Sequence, residues 1–283
     1  MNKILIQLDT DPQPSVFDRV VAVDAGVEQL FSYGGITPAT VTPLVHGAIF
    51  TRGPADLKHT AIFVGGSDVP AGEALVKAIK KAFFGPMRVS VMMDCNGCNT
   101  TAAAAVRAAS KHVELKDARC LVLGGTGPVG QRAALLLAGQ GAHVRIGSRA
   151  IEKAEAVCES IQGRIHNAQL EPIAGESVAD ILGDVQVLIA AGAAGVQFLK
   201  ADQWRESSSL RVAIDVNAVP PVGLDGIDVM SKAVMQGDIA CYGAIGVGGT
   251  KMKLHKRALQ KLFEQNDLVL DTSEVYTLAR DLH

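Results

Sequence analysis

Gly125, Gly127 and Gly130 stand in G-x-G-x-x-G spacing within "RCLVLGGTGPVGQ" (119 to 131), directly after a run of strand-forming residues. Glycines so placed between a strand and a helix suit a dinucleotide. The first permits a sharp turn, the second lets backbone approach a pyrophosphate, and the third lets helix and sheet pack closely. Thr126, Pro128 and Val129 complete the loop, and the helix that follows offers oriented N–H donors to the phosphates. The competing reading is an ordinary glycine turn. Strand, turn, helix and second strand occurring in order within about 30 residues favour the nucleotide. At the end of that second strand a chain selecting NAD would carry an acid for the ribose 2′-hydroxyl. Here "VRIGSRAIEKA" (144 to 154) places Ser148 and Arg149 instead, a hydroxyl and a guanidinium suited to a 2′-phosphate. NADP is the expected cofactor, with NAD admitted at lower affinity. Ala191 and Gly192 in "LIAAGAAG" (188 to 195) follow a later strand and would let a ribose-nicotinamide half lie against backbone. Asn217 completes the candidate cofactor contacts.

Three other groups could do chemistry. Lys251 and His255 are four apart and share a helix face after the glycine-rich "GAIGVGGTK" (243 to 251); a solvated basic face is the alternative. Cys95 and Cys98 in "CNGC" lie between a strand and a helix, where a thiol could be activated, but the order of elements is not thioredoxin-like. Asp9, Asp11 and Asp18 gather near the end of the first strand and read as solvated loop acids. No metal site is indicated.

The elements that must position these residues follow a βαβ rhythm. Strands are expected over 3–9, 60–66 and 88–94, with an amphipathic helix over 69–84. An alanine-rich helix over 99–113, capped by Asn99, leads into a second series. That series has strand 119–124, helix 128–140, strand 142–147, helix 150–162, and strands 185–192 and 211–217. Two helices close the chain, the last opened by Asp271 with Glu274 in capping-box spacing. This predicts an α/β protein of two domains, an N-terminal α/β substrate domain (1–112) and a Rossmann-type doubly wound parallel sheet (113–270). The C-terminal helix (271–283) is free to pack on the first domain.

Composition narrows the partners. Twenty-seven basic against 29 acidic residues leave no basic footprint for nucleic acid. No membrane span or signal peptide is legible. Five cysteines, an odd number set in apolar segments, suggest reduced thiols in a cytoplasm. Twenty-nine glycines fit an α/β chain with glycine-rich loops.

With "DTDPQPSVFD", "TAIFVGG", "FFGP", "NGCNTTAAA", "GSR", "DVNAVPPVG" and "GGTKMKLHK" in view, the sequence resembles the NADP-dependent methylene-tetrahydromethanopterin dehydrogenases of bacterial one-carbon metabolism. The likeness covers nearly the whole chain. It implies hydride transfer from methylene-tetrahydromethanopterin to NADP, an active-site crevice completed by a neighbouring subunit, and a homotrimer. It places active-site residues at Phe17, Thr101, Lys251 and His255. Phe17 would pack against pterin or nicotinamide, Thr101 would bond substrate, Lys251 would bond a pterin carbonyl or substrate anion, and His255 would orient substrate or Lys251. Methylene-tetrahydrofolate is the alternative carrier, and an NADP-binding sensor without turnover is the rival from another class.

Overall fold

The computed structural model describes residues 1–174 and 181–282. One compact unit comprises Met1–Thr100 with Met252–His283, and the other Thr101–Lys251.

The first unit is built from β1 (Ile4–Asp9), α1 (Val16–Asp24), β2 (Gln29–Tyr33), α2 (Val41–Ile49), β3 (Thr60–Gly65), α3 (Val69–Ala82) and β4 (Ser90–Met93). The far end of the chain supplies β12 (Val269–Leu270) and α9 (Thr272–Arg280). Its sheet runs β12-β4-β3-β1-β2, every pairing parallel. β3 and β4 are buried at every residue, as expected of strands covered on both faces. Asp68 caps α3 by accepting from the Ala71 amide at 3.0 Å, and the Asp271–Glu274 capping box opens α9 as expected. The sequence reading did not place α1, β2 or α2. α1 has nine residues and leaves Val16, Phe17, Val20 and Val23 exposed, so its polar and apolar faces do not separate.

The second unit contains β5 (Arg119–Leu123), α5 (Pro128–Gly139), β6 (His143–Gly147), α6 (Ile151–Gln162), β7 (Gln169–Ile173), β8 (Val187–Ala190), the short α7 (Ala201–Trp204), β9 (Val212–Asp215), β10 (Lys232–Gln236) and β11 (Ile239–Tyr242). Its strands are ordered β10-β11-β9-β8-β5-β6-β7, parallel except for the antiparallel β10 at one edge. From β5 the chain winds outward through β6 and β7, then restarts at β8 on the other side. The switch point therefore lies between β5 and β8, where doubly wound sheets bind ligands. Trp204 is fully buried in this unit's core with Leu188, Ala213 and Leu224. Its indole N–H is satisfied by the Asp225 carbonyl at 3.1 Å.

Two helices carry the chain across the division, α4 (Cys98–Ala109) and α8 (Ala244–Lys261). The division falls inside them, at 100/101 and 251/252, where the sequence reading set its bounds at 112/113 and 270/271. An uninterrupted helix gives no composition break at such a point.

The stretch read as a glycine-rich loop, 243 to 251, is helical from Ala244 onward. Two of its glycines, Gly243 and Gly246, serve packing. A Cβ on Gly246 would overlap the Ser231 carbonyl oxygen at 1.8 Å, and one on Gly243 would meet that of Asp228 at 2.2 Å. Among the described residues no helix is long and apolar enough to cross a membrane.

Candidate active site

The second unit gathers the candidate cofactor residues at the C-terminal ends of four adjacent strands, β9, β8, β5 and β6. Left-handed backbone in the fingerprint falls on Gly124 (φ +67°), not on Gly125, to which the sequence reading gave the sharp turn. Gly125 is needed for another reason, since a Cβ there would stand 2.6 Å from Ile146 Cγ2 on β6. Its amide donates to the Gly147 carbonyl at 2.9 Å, tying the loop to the end of β6. Gly127 is the N-cap of α5, in extended backbone, and Pro128 opens the helix. A Cβ on Gly127 would meet nothing nearer than carbonyl oxygens at 3.3 and 3.5 Å, so among the described residues no side chain comes within 4 Å of that point. Gly130 faces inward, its added Cβ lying 2.4 Å from the Gly124 carbonyl oxygen. The Gln131 side chain donates to the Thr126 carbonyl at 2.7 Å and steadies the turn. Val129, half-buried, sits in the first turn of α5, whose leading amides have no acceptor within the helix.

Ala191 and Gly192 follow β8. A Cβ on Gly124 would stand 2.7 Å from Gly192 Cα, so the two loops approach backbone to backbone. Ser148 and Arg149 follow β6, the serine half-buried and the arginine exposed. Ser148 Oγ accepts from the Ala150 amide at 3.2 Å. Asn217, after β9, is occupied within its own loop: its side chain donates to the Pro221 carbonyl (3.4 Å) and accepts from the Val219 amide (3.0 Å). Asp215, which the sequence reading passed over, braces the same loop by accepting from Asn217 and Leu224 amides at 2.9 and 2.7 Å. Burial pushes its carboxyl upward, offset in part by N–H bonds from Leu224, Asn217 and Gly223.

A second cluster forms within the first unit. Phe17 on α1 is half-exposed, with its ring centroid 6.3 Å from that of His255 on α8. His255 is only 1% exposed and stacks on Phe63 at 5.6 Å, so it belongs to no solvated face. Its Nδ1 lies 4.0 Å from Asp94 Oδ2. Asp94, also buried, accepts at Oδ1 from the amides of Asn99 (2.9 Å) and Thr100 (3.1 Å), and at Oδ2 from the Thr100 hydroxyl (2.6 Å). Asp94 therefore holds the start of α4, the part expected of Asn99. The Asn99 side chain instead ties β4 to the C-terminal segment, donating to the Met93 carbonyl and Asp271 and accepting from Thr272. The sequence reading missed Asp94, Phe63 and Thr100. An acid at a strand's end six residues before a threonine was the available signal.

Thr101 and Lys251 lie on the second unit's side of the division, on α4 and α8, both half-buried. Lys251 stands one helical turn before His255.

Asp9 is fully buried and accepts from the amides of Asp11 (2.9 Å) and Ser15 (3.0 Å). It is a brace of the β1–α1 loop, contrary to its reading as a solvated acid. Asp11 in turn accepts from the Ser67 amide and hydroxyl. Cys95 and Cys98 are buried, and burial pushes the thiol of Cys120 up to about 12, far from thiolate chemistry.

Fold and site together define a two-unit α/β protein whose second unit is a Rossmann-type dinucleotide sheet. Residues 16–96 match the family described as methylene-tetrahydromethanopterin dehydrogenase, N-terminal, and residues 107–230 match shikimate/quinate 5-dehydrogenase. Two relatives come from Methylorubrum extorquens. Bifunctional protein MdtA is 44% identical over 99% of each chain. An NAD(P)-dependent methylenetetrahydromethanopterin dehydrogenase is 34% identical over 95% of this chain and 94% of its own. The chain belongs to the methylene-tetrahydromethanopterin dehydrogenase family. Quinate dehydrogenase from Corynebacterium glutamicum shares the fold, with a TM-score of 0.57 over 99% of each chain at 12% identity.

Proposed function

We propose that this protein is an NAD(P)-dependent dehydrogenase that takes hydride from methylene-tetrahydromethanopterin, with NADP as the preferred acceptor. The observation that carries the reading is the 34% identity, across 95% of the chain, to a relative named for this reaction. Space before Gly127, clear of side chains, fits a pyrophosphate at the start of α5. Preference for NADP rests on Ser148 and Arg149 at the end of β6, where an acid would repel a 2′-phosphate.

The cofactor, when bound, supplies the hydride acceptor. A methylene bridge between two nitrogens loses hydride and becomes a methenyl cation shared by both, and no proton need move. The protein must therefore orient, bringing donor and acceptor carbons to about 3–3.5 Å. Phe17, half-exposed, offers a ring for packing against the pterin, while buried His255 and Phe63 hold that ring's position. Thr101 bonds the substrate. A cation beside the forming methenyl carbon would raise the barrier, so Lys251 works at a pterin carbonyl or anionic group away from it. Exposed Val16, Val20 and Val23 on α1, with Phe31 and Tyr33 on β2, support a homotrimer in which this face is covered.

Growth of reduced-nicotinamide absorbance on mixing protein, NADP and the methylene pterin tests the function. Absence of reduction with both pterin and folate carriers would favour a sensor. For Lys251→Ala, the assignment requires a rise in KM or a fall in kcat, and unchanged values of both would remove it.

A further inference from the structure

Within the second unit, away from the glycine loop, the end of α4, the β10–β11 hairpin and the first turns of α8 enclose a cavity of about 290 Å³. Arg107, Lys111 and Lys232 line it, together with His112, Tyr242 and Thr250, and among the described residues no aspartate or glutamate does. Three cations in one small concavity repel one another unless an anion joins them. In a chain of net charge −2 their convergence is not a by-product of a basic surface.

The bland account is that basic residues at the end of α4 offset its macrodipole. That covers Arg107 and Lys111 but not Lys232, which comes from β10, and it does not explain the missing acid. Two further observations point to a ligand. Arg107 Nε is buried without a hydrogen-bond partner, although Nη1 of the same group donates to Ser110 Oγ at 3.3 Å. The first turn of α8 edges the cavity, adding the positive end of an 18-residue helix. At its side, His112 Nε2 and the Tyr242 hydroxyl bond each other at 2.8 Å, a polar pair with capacity to spare.

We propose that this cavity is a binding site for a small, multiply charged oxyanion of the phosphate class, held by Arg107, Lys111 and Lys232. The volume lies at the lower limit of small-molecule sites and is too small for a dinucleotide. None of Phe17, Thr101, Lys251 and His255, the residues assigned to hydride transfer, is among the cavity's lining residues. A free phosphorylated metabolite and the anionic end of a larger substrate present the same chemistry.

The test is isothermal titration of the intact protein with inorganic phosphate at constant ionic strength, on wild type, Arg107→Gln, Lys232→Gln and Arg149→Ala. Wild type and Arg149→Ala are expected to bind phosphate, and each cavity variant to bind at least about tenfold more weakly. No uptake by wild type, uptake unchanged in both cavity variants, or uptake lost in Arg149→Ala overturns the proposal. Lys232 is exposed, so its variant keeps the test decisive if Arg107→Gln fails to fold. Steady-state kinetics then separates the sources. A KM for the methylene carrier that rises with phosphate assigns the cavity to the carrier's own anionic end, and an unchanged KM assigns it to a separate ligand.

Discussion

Gly127 and Gly130 stand three residues apart in one loop, yet a methyl group should injure different properties at each. At Gly130 the new Cβ would lie 2.4 Å from the Gly124 carbonyl oxygen and 2.8 Å from Gly125 Cα. These are backbone atoms that cannot rotate away, so the loop itself must shift. Overpacking of this severity costs about 3 kcal/mol, and the better helix propensity of alanine returns about 1. The net loss of about 2 kcal/mol corresponds to a Tm lower by about 4–8 °C. At Gly127 the backbone (φ −77°, ψ 166°) suits alanine, and the nearest contact is 3.3 Å. A weaker N-cap and a less flexible unfolded chain nearly cancel, leaving stability within about 0.5 kcal/mol. Cofactor binding should suffer instead, because the methyl occupies the space through which a pyrophosphate reaches the α5 amides. Losing one bond to a charged phosphate costs about 1.5–3 kcal/mol, which is about 10–150-fold in KM for NADP. Thermal melts of both variants, with KM for NADP at saturating carrier, separate the two effects. If Gly127→Ala melts as low as Gly130→Ala while its KM stays at the wild-type value, the loop serves the fold and the cofactor assignment is refuted.

Arg149→Ala should weaken NADP by about 1–3 kcal/mol and leave NAD nearly unchanged; equal losses in kcat/KM for the two cofactors would show that the guanidinium does not read the 2′-phosphate. Burial, aided by neighbouring Lys111, holds His112 below the usual 6.5, so the unfolded chain takes up its proton first. The stability this contributes is full above pH 6.5 and is lost as pH falls through 6.5 toward the lower folded value. Tm should accordingly decline more steeply on acidification in wild type than in His112→Gln. Thr100→Val removes a 2.6 Å bond to the buried Asp94 carboxylate, and should lower stability by about 1.5–3 kcal/mol, read as a reduced urea midpoint at constant m.

The second unit was largely legible because its signals are local. Strand, glycine turn, helix and second strand follow one another, and each is positioned by neighbours close in sequence. Even there, periodicity found the loop without finding the reason for each glycine. The turn's left-handed residue is Gly124, and Gly125 is required by Ile146, 21 positions later. In 243 to 251 the usual inference failed for the same cause. Repeated glycine reads as a loop, whereas Gly243 and Gly246 are small because the 228–231 backbone lies against a helix.

The first unit was harder to read because it is not contiguous. Its sheet is completed by β12, which pairs with β4 from some 178 residues away, and the Ser90 hydroxyl fixes that seam by donating to the Gln265 carbonyl at 2.8 Å. His255 reaches Phe17 and Phe63 only because the chain returns through α8. No periodicity argument over neighbouring residues could place that imidazole in a core, and four-residue spacing from Lys251 suggested a solvated face instead. Asp94 was overlooked for a related reason. A lone acid at a strand's end gives no hint that two amides and a hydroxyl will converge on it, or that a histidine 161 positions later will face it at 4.0 Å. The residues easiest to name from a motif are thus those whose partners lie within one βαβ unit. His255, which holds Phe17 in place, owes its position to the C-terminal return, so it emerges only once the topology of the first sheet is known.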